Sequence, residues 1–112
     1  MEEKISRKPV EVSDEFKANR TYVYDYTLRA FGYFQAERYL QLIEKALSTL
    51  YNFYLAYPEC RHLPTKSRMY RNIILDAHLI IYRITHDRIE VLDILHSASS
   101  IRRIRDVRKI HL

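Results

Sequence analysis

The chain has 112 residues and carries 19 Lys/Arg against 14 Asp/Glu, a formal net charge of +5. A chain of this length forms one hydrophobic core, and its 47% hydrophobic and 29% charged residues are typical of a globular domain, which excludes a disordered chain. No apolar run approaches the roughly 20 residues that span a bilayer. The opening MEEKISRKPVEV lacks the apolar segment of a signal peptide. We therefore expect a cytoplasmic protein without a membrane partner.

The first half of the chain predicts a short strand followed by two helices. Residues 10–12, VEV, favour the strand, and Ser13 or Asp14 is a good N-cap for the first helix. Gly32 is the only glycine, and it lies where that helix would end in a left-handed conformation. The second helix is expected to continue until Pro58 ends it. Because the connection at Gly32 is so short, the helices should form an antiparallel hairpin.

The second half predicts three strands. The first lies around residues 68–75, and the next two are the aliphatic arms 79–84 and 89–95. The polar break His86-Asp87-Arg88 between these arms has the length of a hairpin turn. The order βααβββ predicts an α+β domain, in which an N-terminal strand and a helical hairpin pack on a small, mainly antiparallel sheet.

Residues 97–112 predict a short basic C-terminal helix or tail. Ser99 or Ser100 would cap it, and the apolar side chains that recur at helical spacing would share one side: Ile101, Ile104, Val107 and Ile110. Five Lys/Arg against one acidic residue make this segment basic, and such a segment can bind an anionic partner. We expect a single domain over residues 1–96 and a basic extension over residues 97–112.

Several kinds of chemistry are excluded by the residues that the chain lacks. One glycine cannot build a phosphate-binding glycine loop. The five histidines are scattered without metal-ligand spacing, so we expect neither a metal nor another cofactor. Cys60 is the only cysteine, which excludes an internal disulfide and is typical of an incidental thiol.

Basic residues near the predicted strands allow two interpretations. Arg61, Arg71, Arg83 and His96 could converge on the sheet, stabilise the transition state of RNA cleavage and move a proton. They could equally be solvated charges at strand edges, which discourage aggregation.

Tyrosine is concentrated in the helical half, since eight of the ten tyrosines lie between residues 22 and 57. They are too widely spread around the helices to face one core. Half-covered rings at the rim of the core would explain them, and so would a surface that binds another protein. The candidates for such a surface are Tyr22, Tyr26, Tyr33, Tyr39, Tyr51 and Tyr54.

Seven segments, taken together, resemble the RelE/ParE toxin superfamily. They are YDYT at 24–27, FG at 31–32, QAERYL at 35–40, YPECR at 57–61, HLIIYRI at 78–84, DRIEV at 87–91 and ILH at 94–96. The resemblance implies a type II toxin held in a hetero-oligomer by a cognate antitoxin, ParD-like or similar, whose acidic C-terminal segment binds the tyrosine-rich hairpin.

The resemblance also implies one of two mechanisms. ParE-like toxins inhibit DNA gyrase by binding and are not enzymes, whereas RelE-like toxins cleave mRNA on the ribosome. Leu79 follows His78 where the RelE-like branch often has arginine, and a basic extension follows the last strand, so the sequence is closer to the ParE-like branch. The expected target-binding residues are Arg61, Arg71, Arg83, His96, Arg102, Arg103 and Arg105.

Two alternatives remain open. The chain could be a ribosome-dependent endoribonuclease that uses Arg61, Arg71, Arg83 and His96, or an inactive member of the superfamily that only binds an antitoxin.

Overall fold

A computed structural model describes residues 7–112. The helices and strands follow the predicted order, with a short helix after the second long one and another after the sheet. They are β1 (Val10–Val12), α1 (Asp14–Phe31), α2 (Tyr33–Ser48), α3 (Leu50–Phe53), β2 (Tyr70–Ile74), β3 (His78–Ile84), β4 (Ile89–His96) and α4 (Ile101–Asp106), followed by a 3₁₀ turn (Val107–Lys109). The predicted α+β class and the order βααβββ are confirmed.

Helix α1 begins and ends where the sequence predicts. Ser13 Oγ accepts a hydrogen bond from the backbone N–H of Phe16 at 2.9 Å, and it donates one to the carbonyl of Leu92. The first turn of α1 is thereby attached to β4. Gly32 separates α1 from α2 with φ 90° and ψ 176°. The positive φ confirms the prediction, but ψ is extended rather than left-handed helical, and this combination is open only to glycine.

The second helix ends earlier than predicted. Helix α2 stops at Ser48, α3 adds one turn, and the chain has left helical structure well before Pro58. The hydroxyls of Ser48 and Thr49 donate to the carbonyls of Lys45 and Ala46, at 2.6 and 2.7 Å. Because they take carbonyls of the preceding turn, these hydroxyls compete with the helical backbone and interrupt the helix.

The sheet has the strand order β1-β4-β3-β2, in which β1 runs parallel to β4 and the other pairs are antiparallel. The β3–β4 register shifts between Ile81 and Tyr82, which leaves Leu92 as an extra residue on β4. Strand β1 pairs only with Ile89–Val91, so the last part of β4 has no strand on that side. There the Asp93 carboxylate accepts hydrogen bonds from the N–H of Ile94 and from the Asn19 amide, at 2.8 and 2.7 Å.

Both faces of the sheet are covered. The helical hairpin covers one face, where the buried residues include Phe16, Val23, Ile43, Leu50, Ile80, Tyr82 and Val91. The C-terminal helix and the loop before β2 cover the other, through Cys60, Leu63, Ile81, Leu92, Leu95, Ile104 and Val107. Burial raises the pKa of the Cys60 thiol, which makes it less reactive than an exposed thiol.

The C-terminal segment is an ordered helix in this structure. Ser100 is its N-cap, since Ser100 Oγ accepts from the N–H of Arg103 at 3.1 Å. Ile104 and Val107 are buried against the sheet and Ile110 is half-buried. The predicted apolar side was wrong for Ile101, which is 48% exposed because it lies in the first turn, before the helix reaches the sheet.

A buried ion network joins three strands and the C-terminal segment. The Glu90 carboxylate accepts from Arg83 Nε at 2.8 Å and from Arg88 Nη2 at 2.7 Å, and Arg88 also pairs with Glu11. Arg83 Nη2 donates to the carbonyl of Ile110 at 3.1 Å. Burial raises the pKa of the Glu90 carboxyl, but the hydrogen bonds from both arginines outweigh burial and hold the pKa below its usual value.

Glu90→Gln should therefore destabilise the fold by about 3 kcal/mol at pH 7, because it leaves a buried guanidinium without its carboxylate. A carboxyl whose folded pKa is lowered stabilises the fold above its ordinary value of 4.5, and the stabilisation is lost as the pH falls below that value. The wild type and the variant should thus converge in acid. Urea denaturation at pH 7 and at pH 3 measures both effects.

The matched control is Glu44→Gln, which removes the exposed partner of Arg20, 3.0 Å away. It should cost less than about 1 kcal/mol. Equal losses in the two variants would contradict the structural role of the buried network.

Candidate interaction surfaces

A groove of about 1220 Å³ lies between the helical hairpin and the end of the sheet. Its walls carry aromatic and aliphatic side chains, its rim carries cations, and its floor carries two histidines. The wall residues include Tyr22, Val23, Tyr26, Phe31 and Leu42, the rim residues Arg38, Lys45 and Arg103, and the floor residues His78, Ile94 and His96. We call this the hairpin groove.

The corner of the hairpin extends the apolar surface beyond the groove. Phe34 is 87% exposed, its ring packs edge-on against Tyr33 with centroids 5.9 Å apart, and Phe31 is also exposed. Monomeric soluble proteins rarely leave so many large apolar side chains together in water unless another molecule covers them. Phe31, Phe34 and Leu42 are not among the surface residues expected from the sequence, although they lie off the core-facing stripe of their helices, which is a signal that marks such residues.

The groove floor contains a cluster of Tyr39, His78 and His96, in which Tyr39 is hydrogen-bonded to His78 and His96 packs against the His78 ring. Tyr39 Oη lies 2.6 Å from His78 Nδ1, and the rings of His78 and His96 pack edge to face with centroids 5.5 Å apart. His96 Nδ1 accepts the N–H of Ala98 at 3.0 Å. Burial lowers the pKa of His78, and the neighbouring His96 lowers it further, while Asp76 opposes the shift.

The structure divides the predicted tyrosine set. Tyr22, Tyr26 and Tyr39 line the hairpin groove, and Tyr33 lies at the adjacent corner. Tyr51 is exposed on α3, outside the residues that line the groove. Tyr54 is only 4% exposed, and its carbonyl accepts the buried hydroxyl of Tyr82, so it is a core residue and cannot offer its ring to a partner.

The structure does not bring the predicted basic residues together. Arg83 is 9% exposed and its donors are occupied by Glu90, Tyr70 and the carbonyls of Arg108 and Ile110. Its buried position gives it a structural role instead of contact with a target. Arg71 donates to the backbone carbonyls of Leu55, Tyr57 and Arg68, which fixes the loop before β2.

The four residues proposed for RNA cleavage also lie on different faces of the sheet. His96 pairs with His78 across the strands and faces the hairpin groove. Arg83 is five residues from His78 on β3, so alternation puts it on the opposite face, where it bonds to the C-terminal segment. Arg83 and His96 therefore do not meet on one face of the sheet, and of the two interpretations of these basic residues the convergent one loses its support.

A second surface, with five exposed cations and one exposed carboxylate, Asp106, lies on the face covered by α4. Arg61 lies between Cys60 and Leu63, which pack in the same buried cluster as Ile104 and Val107 of the C-terminal segment. The outward side of that segment carries exposed cations. We define the basic surface as Arg61, Arg102, Arg105, Arg108 and Lys109. Arg103 is instead at the rim of the hairpin groove.

Over the part of the chain that the structure describes, no three His, Cys, Asp or Glu side chains lie close enough to hold a metal ion. Within residues 7–112, no helix combines the length and apolarity that crossing a bilayer requires.

The hairpin on a four-stranded mixed sheet, with a groove at one end and a basic helix on the other face, defines a class of small α+β domains. A family model described as "ParE toxin of type II toxin-antitoxin system, parDE" matches residues 10–101. Because this match spans most of the sequence, the chain belongs to the ParE toxin family.

A solved structure shares the fold. The chain is similar to one titled "Chromosomal ParDE TA system from P. aeruginosa", with a TM-score of 0.67 and 16% identity, and the match covers 81% of this chain and 97% of that one. At this identity the likeness concerns the fold alone. A comparison with curated proteins found no match.

The lowered pKa of His78 predicts a stability that depends on pH. The folded state disfavours protonation of this imidazole, so the unfolded chain binds more protons just below the ordinary pKa of 6.5. The free energy of unfolding should therefore decrease as the pH falls below 6.5, and His78→Gln should reduce that decrease. Urea denaturation from pH 5 to pH 8 measures this decrease.

The control is His86→Gln, in the exposed β3–β4 turn. This variant should keep the wild-type dependence of the free energy of unfolding on pH. If His78→Gln kept the same dependence, the assignment of the effect to His78 would be contradicted.

Proposed function

We propose that this protein is a toxin that inhibits DNA gyrase by binding it, and that a cognate antitoxin neutralises it in the cytoplasm. The main support is membership of the ParE toxin family. The separation of His96 and Arg83 on opposite faces of the sheet adds to it, because it removes the arrangement on which the ribonuclease alternative depended. Two separate surfaces, one apolar and one basic, are suited to two partners.

We assign the hairpin groove to the antitoxin. Its apolar walls would accept the apolar face of an amphipathic segment, and the cationic rim of Arg38, Lys45 and Arg103 would attract acidic side chains on the segment's other face. A ParD-like antitoxin with an acidic C-terminal segment has this chemistry. Bound there, it would also cover Tyr22 and Tyr26, which otherwise leave large rings in water.

Tyr26→Ala should weaken antitoxin binding by tenfold or more, since a ring in the centre of a groove is the kind of side chain that dominates binding energy. The control is Phe53→Ala. Both side chains are exposed to a similar degree, 54% and 58%, but Phe53 does not line the groove. Titration calorimetry with the antitoxin encoded next to this gene would compare them. Equal effects would contradict the assignment of the groove.

We assign the basic surface to the target. Its cations are exposed, and they lie on the face of the sheet opposite the hairpin groove. Because Arg103 at the groove rim adjoins Arg102 of this surface, an antitoxin in the groove would reach its edge and could obstruct the target. Arg61, Arg102 and Arg105 of the expected target-binding set belong to this surface, while His96 and Arg103 belong to the groove. In this arrangement the antitoxin would bind the hairpin groove, and the target would bind the basic surface.

One observation favours a second candidate function, the cleavage of mRNA on the ribosome. Tyr39 Oη lies 2.6 Å from His78 Nδ1, and the ring of His96 packs against that of His78. Hydroxyl and imidazole groups in such contact can transfer protons in acid–base catalysis. For this reaction His78 would act with His96, the one member of the expected catalytic set that lines the groove, and the three arginines of that set would take no part.

The deciding experiment compares both targets with the same protein. Induced expression should arrest growth, and co-expression of the antitoxin should relieve the arrest. The purified toxin should inhibit supercoiling by gyrase, the variant His78→Gln/His96→Gln should inhibit it equally, and neither should cut mRNA on programmed ribosomes. Cleavage that the variant loses would establish the ribonuclease, and expression without growth arrest would establish an inactive family member.

A further inference from the structure

We propose that the basic surface binds the phosphate backbone of duplex DNA, independently of base sequence. The inference deepens the proposed function and rests on it for the choice of DNA, because gyrase holds duplex DNA while it acts. The toxin would then contact the gyrase–DNA complex partly through the nucleic acid.

The first observation is that four of these five cations have no carboxylate partner among the described residues. Within residues 7–112, Arg61, Arg102, Arg105 and Arg108 have no carboxylate within salt-bridge distance, and Lys109 pairs only with Asp106 of its own turn. That pair is exposed and contributes little. By contrast, Arg83, Arg88 and Arg20 are all paired with carboxylates. Within the described residues Arg29, Arg38 and Arg103 also have no carboxylate partner, but they are spread over the hairpin and the groove rim. The basic surface is where four such guanidinium groups lie on one short segment and the loop beside it.

The second observation is that the surface is held rigid. Ile104 and Val107 fix the C-terminal segment to the sheet, and Arg83 holds its last turn through the carbonyls of Arg108 and Ile110, at 3.4 and 3.1 Å. From Arg102 to Lys109 the segment extends roughly 10 Å at the rise of a helix. Duplex DNA carries one negative charge per about 1.7 Å of its axis, so several phosphates fall within that length.

The third observation separates duplex from single-stranded nucleic acid. Proteins that bind single strands stack the bases on exposed aromatic rings. Among the residues that the structure describes, the largely exposed aromatic rings are on the hairpin and α3, namely Tyr22, Tyr26, Phe31, Tyr33, Phe34, Tyr51 and Phe53. The C-terminal segment offers cations without a stacking surface, which suits a backbone whose bases are already paired.

Fluorescence anisotropy with a labelled 20-bp duplex, titrated with the purified toxin between 50 and 200 mM salt, tests the proposal. The logarithm of the binding constant should fall with the logarithm of the salt concentration with a slope of about −4, for four to five phosphate contacts. Arg102→Gln/Arg105→Gln should make the slope shallower by about 1.8 and weaken binding at 100 mM salt by tenfold or more. Two duplexes of unrelated sequence should bind equally.

Lys17→Gln/Arg29→Gln is the control, since it removes the same charge from exposed positions of α1. It should change neither the slope nor the affinity beyond twofold. Equal losses of affinity in both variants would show that only net charge matters. Tighter binding to single-stranded RNA than to the duplex would show that the surface does not select duplex DNA. Either result overturns the proposal, as does the absence of duplex binding at 50 mM salt.

The gyrase assay distinguishes this inference from the proposed function. A toxin that binds DNA through Arg102 and Arg105 but leaves supercoiling unaffected would remove gyrase as the target and leave the DNA surface in place. A toxin that inhibits gyrase but does not bind the duplex would overturn the DNA-binding surface and leave gyrase as the target.

Discussion

The architecture depends on one buried carboxylate. Glu90 is the second residue of β4 and accepts hydrogen bonds from Arg83 on β3 and from Arg88 in the turn. Through Arg88 it is connected to Glu11 on β1. A carboxylate in this position is tolerated only because two guanidinium groups compensate its loss of water. The same Arg83 side chain then holds the carbonyls at the end of the chain. The sheet and the C-terminal helix therefore form one unit.

Strand alternation gives that unit two faces with different chemistry. On β3, His78, Ile80 and Tyr82 face the hairpin, whereas Leu79, Ile81 and Arg83 face the C-terminal segment. The first face ends in a groove with aromatic walls and a histidine floor, and the second carries the basic surface. A small domain can in this way present an apolar surface and a basic surface at the same time, without either disturbing the other.

The sequence predicts what depends on neighbours along the chain. The Ser13 cap, the turn at Gly32 and the β3–β4 hairpin follow from local pattern, and the order of elements follows from them. What it does not predict depends on distant contacts. Nothing in the sequence distinguishes Tyr54 from Tyr22, but Tyr54 is buried and its carbonyl accepts a hydrogen bond from the Tyr82 hydroxyl, whereas Tyr22 is exposed. Arg83 resembles a surface charge until Glu90 and the C-terminal carbonyls are placed around it, and Tyr39 and His78 meet from 39 positions apart.

The short first strand has a consequence for how copies of the protein behave toward one another. Past Val91, strand β4 has no strand on the β1 side, and a strand edge of this kind is a template to which an identical chain can add unless it is blocked. Here Ser13 donates to the carbonyl of Leu92 and so occupies part of that edge. Asp93 lies on this edge. One of its carboxylate oxygens accepts hydrogen bonds from the backbone N–H of Ile94 and from the side-chain amide of Asn19. The negative charge and the occupied donor make intermolecular sheet extension unfavourable. The hairpin groove can thus stay open at its floor while the molecule remains resistant to self-assembly.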